Sequence, residues 1–149
     1  MLSGGATVAV YSDNKYVSKD LDFISRYMKD ERAITAAMAE IGFERRGKSY
    51  FHSETPYFVE FISGPASVGD EPIHEIKEIE MATGVLRIIS PTDSVKDRLA
   101  AFYHWQDRQG LEQAILVALA HPVDMKDIKR WSEKEVKLSE FEEFEKRLR

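Results

Sequence analysis

The chain has 149 residues, 43% apolar and 32% charged, with a formal charge of −5. That length fits one domain able to bury a sizeable core, and the acidic balance excludes a protein that is basic overall for nucleic-acid binding, leaving room only for a local basic patch. With no cysteine, disulfides, thiol catalysis and cysteine-ligated zinc are excluded.

The chain opens on Ser3-Gly4-Gly5, turn chemistry in which a backbone without Cβ atoms allows close approach. Residues 6–11 are short, apolar and partly β-branched, and propensity does not decide between a helical turn and a strand. Ser12-Asp13-Asn14 is a turn. Residues 19–25 read as a strand whose alternation puts Asp20 and Asp22 on one face, roughly 6.6 Å apart along the strand. Leu21, Phe23 and Ile24 press it into a core.

Residues 30–41 carry Ile34, Ala37, Met38 and Ile41 at helical spacing, and Gly42 stops that helix. Residues 43–51 read as a strand interrupted by Arg45-Arg46-Gly47-Lys48. After a turn over 53–56, residues 57–62 form a strand antiparallel to the one before, with Glu60 set among apolar neighbours. Residues 63–72 read as a polar loop. Residues 73–81 and 85–89 form a hairpin around Thr83-Gly84, its Glu75, Glu78 and Glu80 on a solvated face.

Pro91-Thr92-Asp93 opens a helix over about 94–106, capped by Thr92 or Asp93, with Val95, Leu99 and Phe102 on its buried face. The stretch 107–110 breaks it before a second helix over 111–120, which ends at His121-Pro122. A third runs over 124–134, capped by Asp124, with Ile128 and Trp131 buried. Ser139 starts the last through a capping box, with Phe141, Phe144 and Leu148 as its apolar stripe. The histidines His52, His74, His104 and His121 show no metal-ligand spacing. No apolar run is long enough to cross a bilayer, and a cytoplasmic location is expected.

Three acids stand out. Asp20 and Asp22 share a face, and a charge at Glu60 is costly unless it is paired or metal-bound. Convergence of the three would call for a hard cation, held by carboxylates together with substrate phosphates. The alternative for the aspartates is that they are edge-strand charges that discourage aggregation. Cations available for phosphate are Lys19, Lys96, Arg98 and Arg108, each equally well explained as a surface ion-pair partner. Trp105 can stack a base or fill a buried helix end, and Asp107 can orient a cation.

Taken in order, Gly4-Gly5, Asp20-x-Asp22 and the acidic strand Val59-Glu60-Phe61 resemble the signature of the nucleotidyltransferase superfamily, the DNA polymerase beta-like fold. The nearest likeness is to the small prokaryotic AbiEii-like nucleotidyltransferases. The resemblance implies an α+β fold: a nucleotidyltransferase-like mixed β-sheet with flanking helices over residues 1–90, and a C-terminal helical layer over 91–149 packed on it as one unit. It implies metal-dependent transfer of a nucleoside monophosphate from an NTP. Asp20, Asp22 and Glu60 would be the catalytic residues and the ligands of Mg²⁺ or Mn²⁺. Ser3, Gly4, Gly5, Lys19, Lys96 and Arg98 would bind nucleotide. The acceptor (tRNA, protein or small molecule) and the oligomeric state stay open, and the likeness carries a toxin–antitoxin-like setting. The family pattern places a lysine where Arg98 stands, and a helix before the glycines where this chain begins. That abrupt start, with the fourteen-residue spacer between Gly5 and Asp20, long for the family, favours a second expectation, a non-catalytic nucleotide- or partner-binding module retaining the fold.

Overall fold

Alternating apolar and acidic side chains in two central strands decide which face of the sheet each helix covers. The computed structural model describes residues 1–25, 30–73 and 75–149. In chain order these form β1 (Leu2–Ser3), α1 (Gly5–Tyr11), β2 (Asp20–Ser25), α2 (Glu31–Glu40), β3 (Glu44–Arg46), β4 (Ser49–Phe51), β5 (Phe58–Ser63), β6 (Ser67–Val68), β7 (Glu71–Pro72), β8 (Ile76–Met81) and β9 (Gly84–Ile89). Four helices follow: α3 (Pro91–Trp105), α4 (Arg108–Ala120), α5 (Met125–Lys134) and α6 (Leu138–Leu148). The class is α+β. His74, read in the sequence as part of the strand before Thr83-Gly84, lies outside the described residues.

Seven strands make one mixed sheet in the order β3-β4-β5-β2-β1-β9-β8, and β6 pairs with β7 in a separate ribbon. β2 and β5 run parallel, Leu21 opposite Val59 and Phe23 opposite Phe61, while β1 runs antiparallel to β2. On the apolar face of these strands, Ile34 and Met38 of α2 cluster with Tyr50 and Val59, flanked by Leu21, Phe23 and Phe61. On the other face Ile24 joins a larger core with Leu2, Val8, Ile88, Leu99, Trp131 and Phe144. The sheet and the C-terminal helices thus share one continuous core, the dominant favourable term in folding.

The structure departs from the sequence reading in several places. Residues 43–51 are a hairpin, β3 and β4, turning at Gly47, whose φ is 64°. The expected loop over 63–72 holds the β6–β7 ribbon. Ala37 and Ile41 face solvent, so the buried stripe of α2 is narrower than its apolar spacing suggested. Ser90 caps α3, accepting from the Asp93 N–H at 3.1 Å. The Thr92 hydroxyl instead accepts from the Asp124 N–H at 3.0 Å and ties α3 to the start of α5. The Ser139 capping box does not form: α6 begins a residue earlier without a side-chain cap, and Ser139 donates to Glu140. Gly110, read as a breaker, lies inside α4, where a Cβ would stand 2.7 Å from the Arg98 carbonyl oxygen. The glycine lets α3 and α4 approach backbone to backbone.

Candidate functional site

The central strands assemble the acids. Asp22 and Glu60 are register partners on adjacent parallel strands, and Asp20 stands opposite Phe58. Strand alternation puts Asp20, Asp22 and Glu60 on one face, the one opposite α2. β1 runs beside them with Ser3 opposite Asp22, and the Ser3 hydroxyl donates to the Asp22 carbonyl at 3.1 Å.

The glycine turn packs against this strand. Gly4 has φ 65° and ψ −157°, and a Cβ there would lie 2.7 Å from Asp22 Oδ2. At Gly5 a Cβ would lie 3.3 Å from Ser18 Oγ and 3.5 Å from the Tyr16 hydroxyl. Thr7 donates to the Gly4 carbonyl at 2.8 Å and meets the Ser94 hydroxyl at 2.6 Å, which fastens the turn to α3. Sequence order alone put the glycines first; the fold puts them beside the acids.

Each carboxylate has its own surroundings. Asp20 accepts from the Ser18 hydroxyl. Glu60 accepts from Ser49 Oγ at 2.6 Å and pairs with Lys48 Nζ at 3.1 Å, so hydrogen bonding from Ser49, helped by Lys48, holds its carboxyl below the usual range. Asp22 is shifted the other way. Burial is the main cause, and the negative charges of Asp20 and Glu60 add to it, with Asp97 contributing and Arg98 opposing. The three acids therefore sense one another across the two strands.

Asp97 and Arg98 come from α3. Arg98 Nη2 donates to Asp97 at 2.6 Å and Nη1 to Gln113 Oε1 at 3.3 Å, and its charge reaches Asp22. A cavity of about 190 Å³ lies beside Ser3, Ile24, Ile62 and Asp97. Asp97, Ser18, Lys48 and Ser49 were not singled out from the sequence. The pairing of Ser49 with Glu60 becomes visible only once the β3–β4 hairpin is recognised, because β4 then runs antiparallel to β5 with those two residues opposite.

The remaining candidates are dispersed. Lys19 is exposed at the start of β2, with its carbonyl accepting from the Phe58 N–H at 2.9 Å. Lys96 is only 3% exposed and its ammonium is engaged by Asp127 and Glu71, so the fold uses it to hold the β6–β7 ribbon against α3 and α5. Arg108 pairs with Glu143 and lies over the Phe102 ring. Asp107 caps α4, accepting from the Gln109 N–H at 3.0 Å. Trp105 does not fill a helix end; it is 76% exposed, because α3 stops in a left-handed turn at Gln106 and leaves the indole outside.

Among the described residues, no group of three or more His, Cys, Asp or Glu side chains gathers closely enough to hold a metal ion. The donors on the acidic face are all carboxylate oxygens, the chemistry a hard cation prefers. Protein donors, Ser18, Ser49 and Lys48, occupy the positions such a cation would compete for. Among the described residues, no helix is long and apolar enough to cross a membrane. No family model matches the chain, and no curated protein and no solved structure matches it.

Proposed function

We propose that this chain is a metal-dependent nucleotidyltransferase that moves a nucleoside monophosphate from an NTP to an acceptor hydroxyl, in the cytoplasm where NTPs are available. The observation that carries the reading is the register of Asp22 with Glu60, which sets them and Asp20 on one sheet face beside the Gly4-Gly5 turn. Carboxylate oxygens are the donors Mg²⁺ or Mn²⁺ prefers, although among the described residues the three acids do not gather closely enough in this structure to hold an ion without some rearrangement. Held by Asp20, Asp22 and Glu60, the ion would neutralise the triphosphate and lower the pKa of the acceptor hydroxyl.

The chain's own residues divide the remaining work. Ser49 and Lys48 keep Glu60 ionised and fix its orientation, which makes it a permanent negative charge. Asp22, the register partner of Glu60, completes the pair of carboxylates that would face the ion. Arg98 supplies a cation whose charge reaches the same face, and Ser3 and Gly4 line the strand edge against which phosphates would lie. The acceptor is a tRNA, a protein or a small molecule.

The test is transfer of label from α-labelled NTPs, with Mg²⁺ or Mn²⁺, to RNA, protein and small-molecule acceptors. Asp20→Ala, Asp22→Ala and Glu60→Ala should each cut labelling on the order of 100-fold or more. Labelling that survives all three substitutions would remove the proposal. One observation favours a second reading, a non-catalytic nucleotide- or partner-binding module: Lys48 already neutralises Glu60. NTP binding with the same affinity in Mg²⁺ and in EDTA, without label transfer, would select that reading.

A further inference from the structure

Among the described residues, α2 covers part of the sheet face opposite the carboxylates. A cavity of about 800 Å³ lies beside α2, β4, β5 and the loop after β5. That is within the size range of small-molecule sites, which combine apolar walls with a few polar groups that fix orientation. The apolar walls here are Ile34, Tyr50, Phe61 and Ile73. Tyr50 meets Phe61 edge-on, at 5.7 Å between ring centroids, and its hydroxyl is fixed to Thr35 Oγ1 at 2.9 Å. These aromatic rings are locked before any ligand arrives, which lowers the cost of ordering them on binding.

The polar part of the lining is unequal in sign. Among the described residues of the lining, Arg45 and Lys48 contribute positive charge and Glu31 is the one acid. Arg45 is held in place by its Nε, which donates to the Gly47 carbonyl at 2.8 Å, and by its pairing with Glu31. Lys48 is 85% exposed along its side chain, so it can turn toward a ligand. A guanidinium presents a planar fork of donors that suits a carboxylate, sulfonate or phosphate.

We propose that this cavity binds a small organic anion with an apolar or aromatic body. The body lies among Ile34, Tyr50, Phe61 and Ile73, and the anionic group meets Arg45 and Lys48. Both cations already hold a carboxylate, Arg45 that of Glu31 and Lys48 that of Glu60, so the anionic group of the ligand shares or displaces those partners, whereas a cationic ligand would be repelled by both. The cavity lies on the sheet face opposite the carboxylates but shares Lys48 with them, because that ammonium also pairs with Glu60.

Two fluorescent probes with the same rings test it on the full chain: 1-anilinonaphthalene-8-sulfonate and the neutral N-phenyl-1-naphthylamine. The sulfonate should saturate at one per chain and bind at least about tenfold tighter than its neutral analogue, the ratio expected from one good charged contact. Arg45→Gln should weaken the sulfonate about tenfold and leave the neutral probe unchanged, whereas Glu31→Gln should tighten the sulfonate. Ile73→Trp should weaken both by filling the cavity. Far-UV circular dichroism and thermal melts establish that each variant is folded, and the two charge substitutions lie on exposed residues. Equal affinity for both probes, non-saturable binding, or sulfonate affinity indifferent to Arg45→Gln and Glu31→Gln would each overturn the proposal.

Discussion

The two opening glycines carry unequal demands, and replacing each by alanine exposes the difference. Gly4 sits at φ 65° and ψ −157°, a region that is essentially glycine-only and costs other residues about 1–3 kcal/mol. An alanine Cβ would also stand 2.7 Å from Asp22 Oδ2, forcing the carboxylate out of its place. Driving that side chain off its rotamer adds about 0.5–1.5 kcal/mol. Gly4→Ala should therefore lose roughly 2–4 kcal/mol, which for a domain of this size lowers Tm by about 5–15 °C. Gly5 lies in the first turn of α1 with no positive φ, and its nearest atom to a Cβ is Ser18 Oγ at 3.3 Å. There, the gain of about 0.5–1 kcal/mol from replacing a helical glycine offsets a slight crowding, so Gly5→Ala should be near neutral.

Urea unfolding followed by circular dichroism measures both, with the midpoint shifting and the slope unchanged if only the native state is affected. A second substitution separates the two causes. Asp22→Ala removes the oxygen that Cβ would strike but leaves the backbone strain, so in the Gly4→Ala background it should recover only about 1 kcal/mol. If Gly4→Ala and Gly5→Ala prove equally stable within about 0.5 kcal/mol, the positive-φ turn against Asp22 is refuted.

Asp22→Asn should stabilise the chain at neutral pH: a raised carboxyl means that stability falls as pH climbs from the usual Asp range through the raised value, and the gain should vanish near about pH 3 in pH-dependent urea melts. Glu71 has the opposite sign: Arg130, with Lys96 and Lys134, holds its carboxyl at about 2, so its contribution is full above the usual Glu range and is lost as pH falls toward that value. Glu71→Gln should destabilise at neutral pH, with a gap from wild type that closes in acid; a pH-independent gap would reject the charge explanation. Lys96→Met, at a cation only 3% exposed between Glu71 and Asp127, should cost less than the roughly 3 kcal/mol of an orphaned buried charge by calorimetry, because Arg130 still pairs with both carboxylates.

What could be read in the sequence follows the range of the interactions involved. Asp20 and Asp22 on one face, and the helix carrying Ile34 and Met38, come from local periods of 2 and 3.6. The parallel pairing that sets Asp22 opposite Glu60 joins distant segments, and nothing local encodes it. β3 was missed because Glu44, Arg45 and Arg46 are all exposed, so the strand has no apolar face to announce it. The β6–β7 ribbon was missed because two-residue strands carry no period; Glu71 ties it to α3 and α5 through Lys96, Arg130 and Lys134. Gly110 misled because a glycine that permits helices to approach looks, in sequence, like one that ends a helix. Trp105 misled because size suggested burial, whereas the left-handed turn at Gln106 sends the chain away from it.

The acidic face also shows why position on a strand does not settle a carboxylate's role. Asp22 and Glu60 are register partners, yet one binds protons more readily than usual and the other less. The difference arises one strand further out. β4 lends Glu60 the Ser49 hydroxyl and the hairpin ammonium of Lys48, whereas the neighbour of Asp22 on its other side is β1, whose Ser3 hydroxyl is spent on the Asp22 backbone carbonyl. Burial then acts on Asp22 with no side-chain donor among the described residues to offset it, and Arg98 opposes it only through space. Exchanging those surroundings should exchange the behaviour: removing Ser49 and Lys48 leaves Glu60 facing two like charges, and its carboxyl must then rise toward that of Asp22.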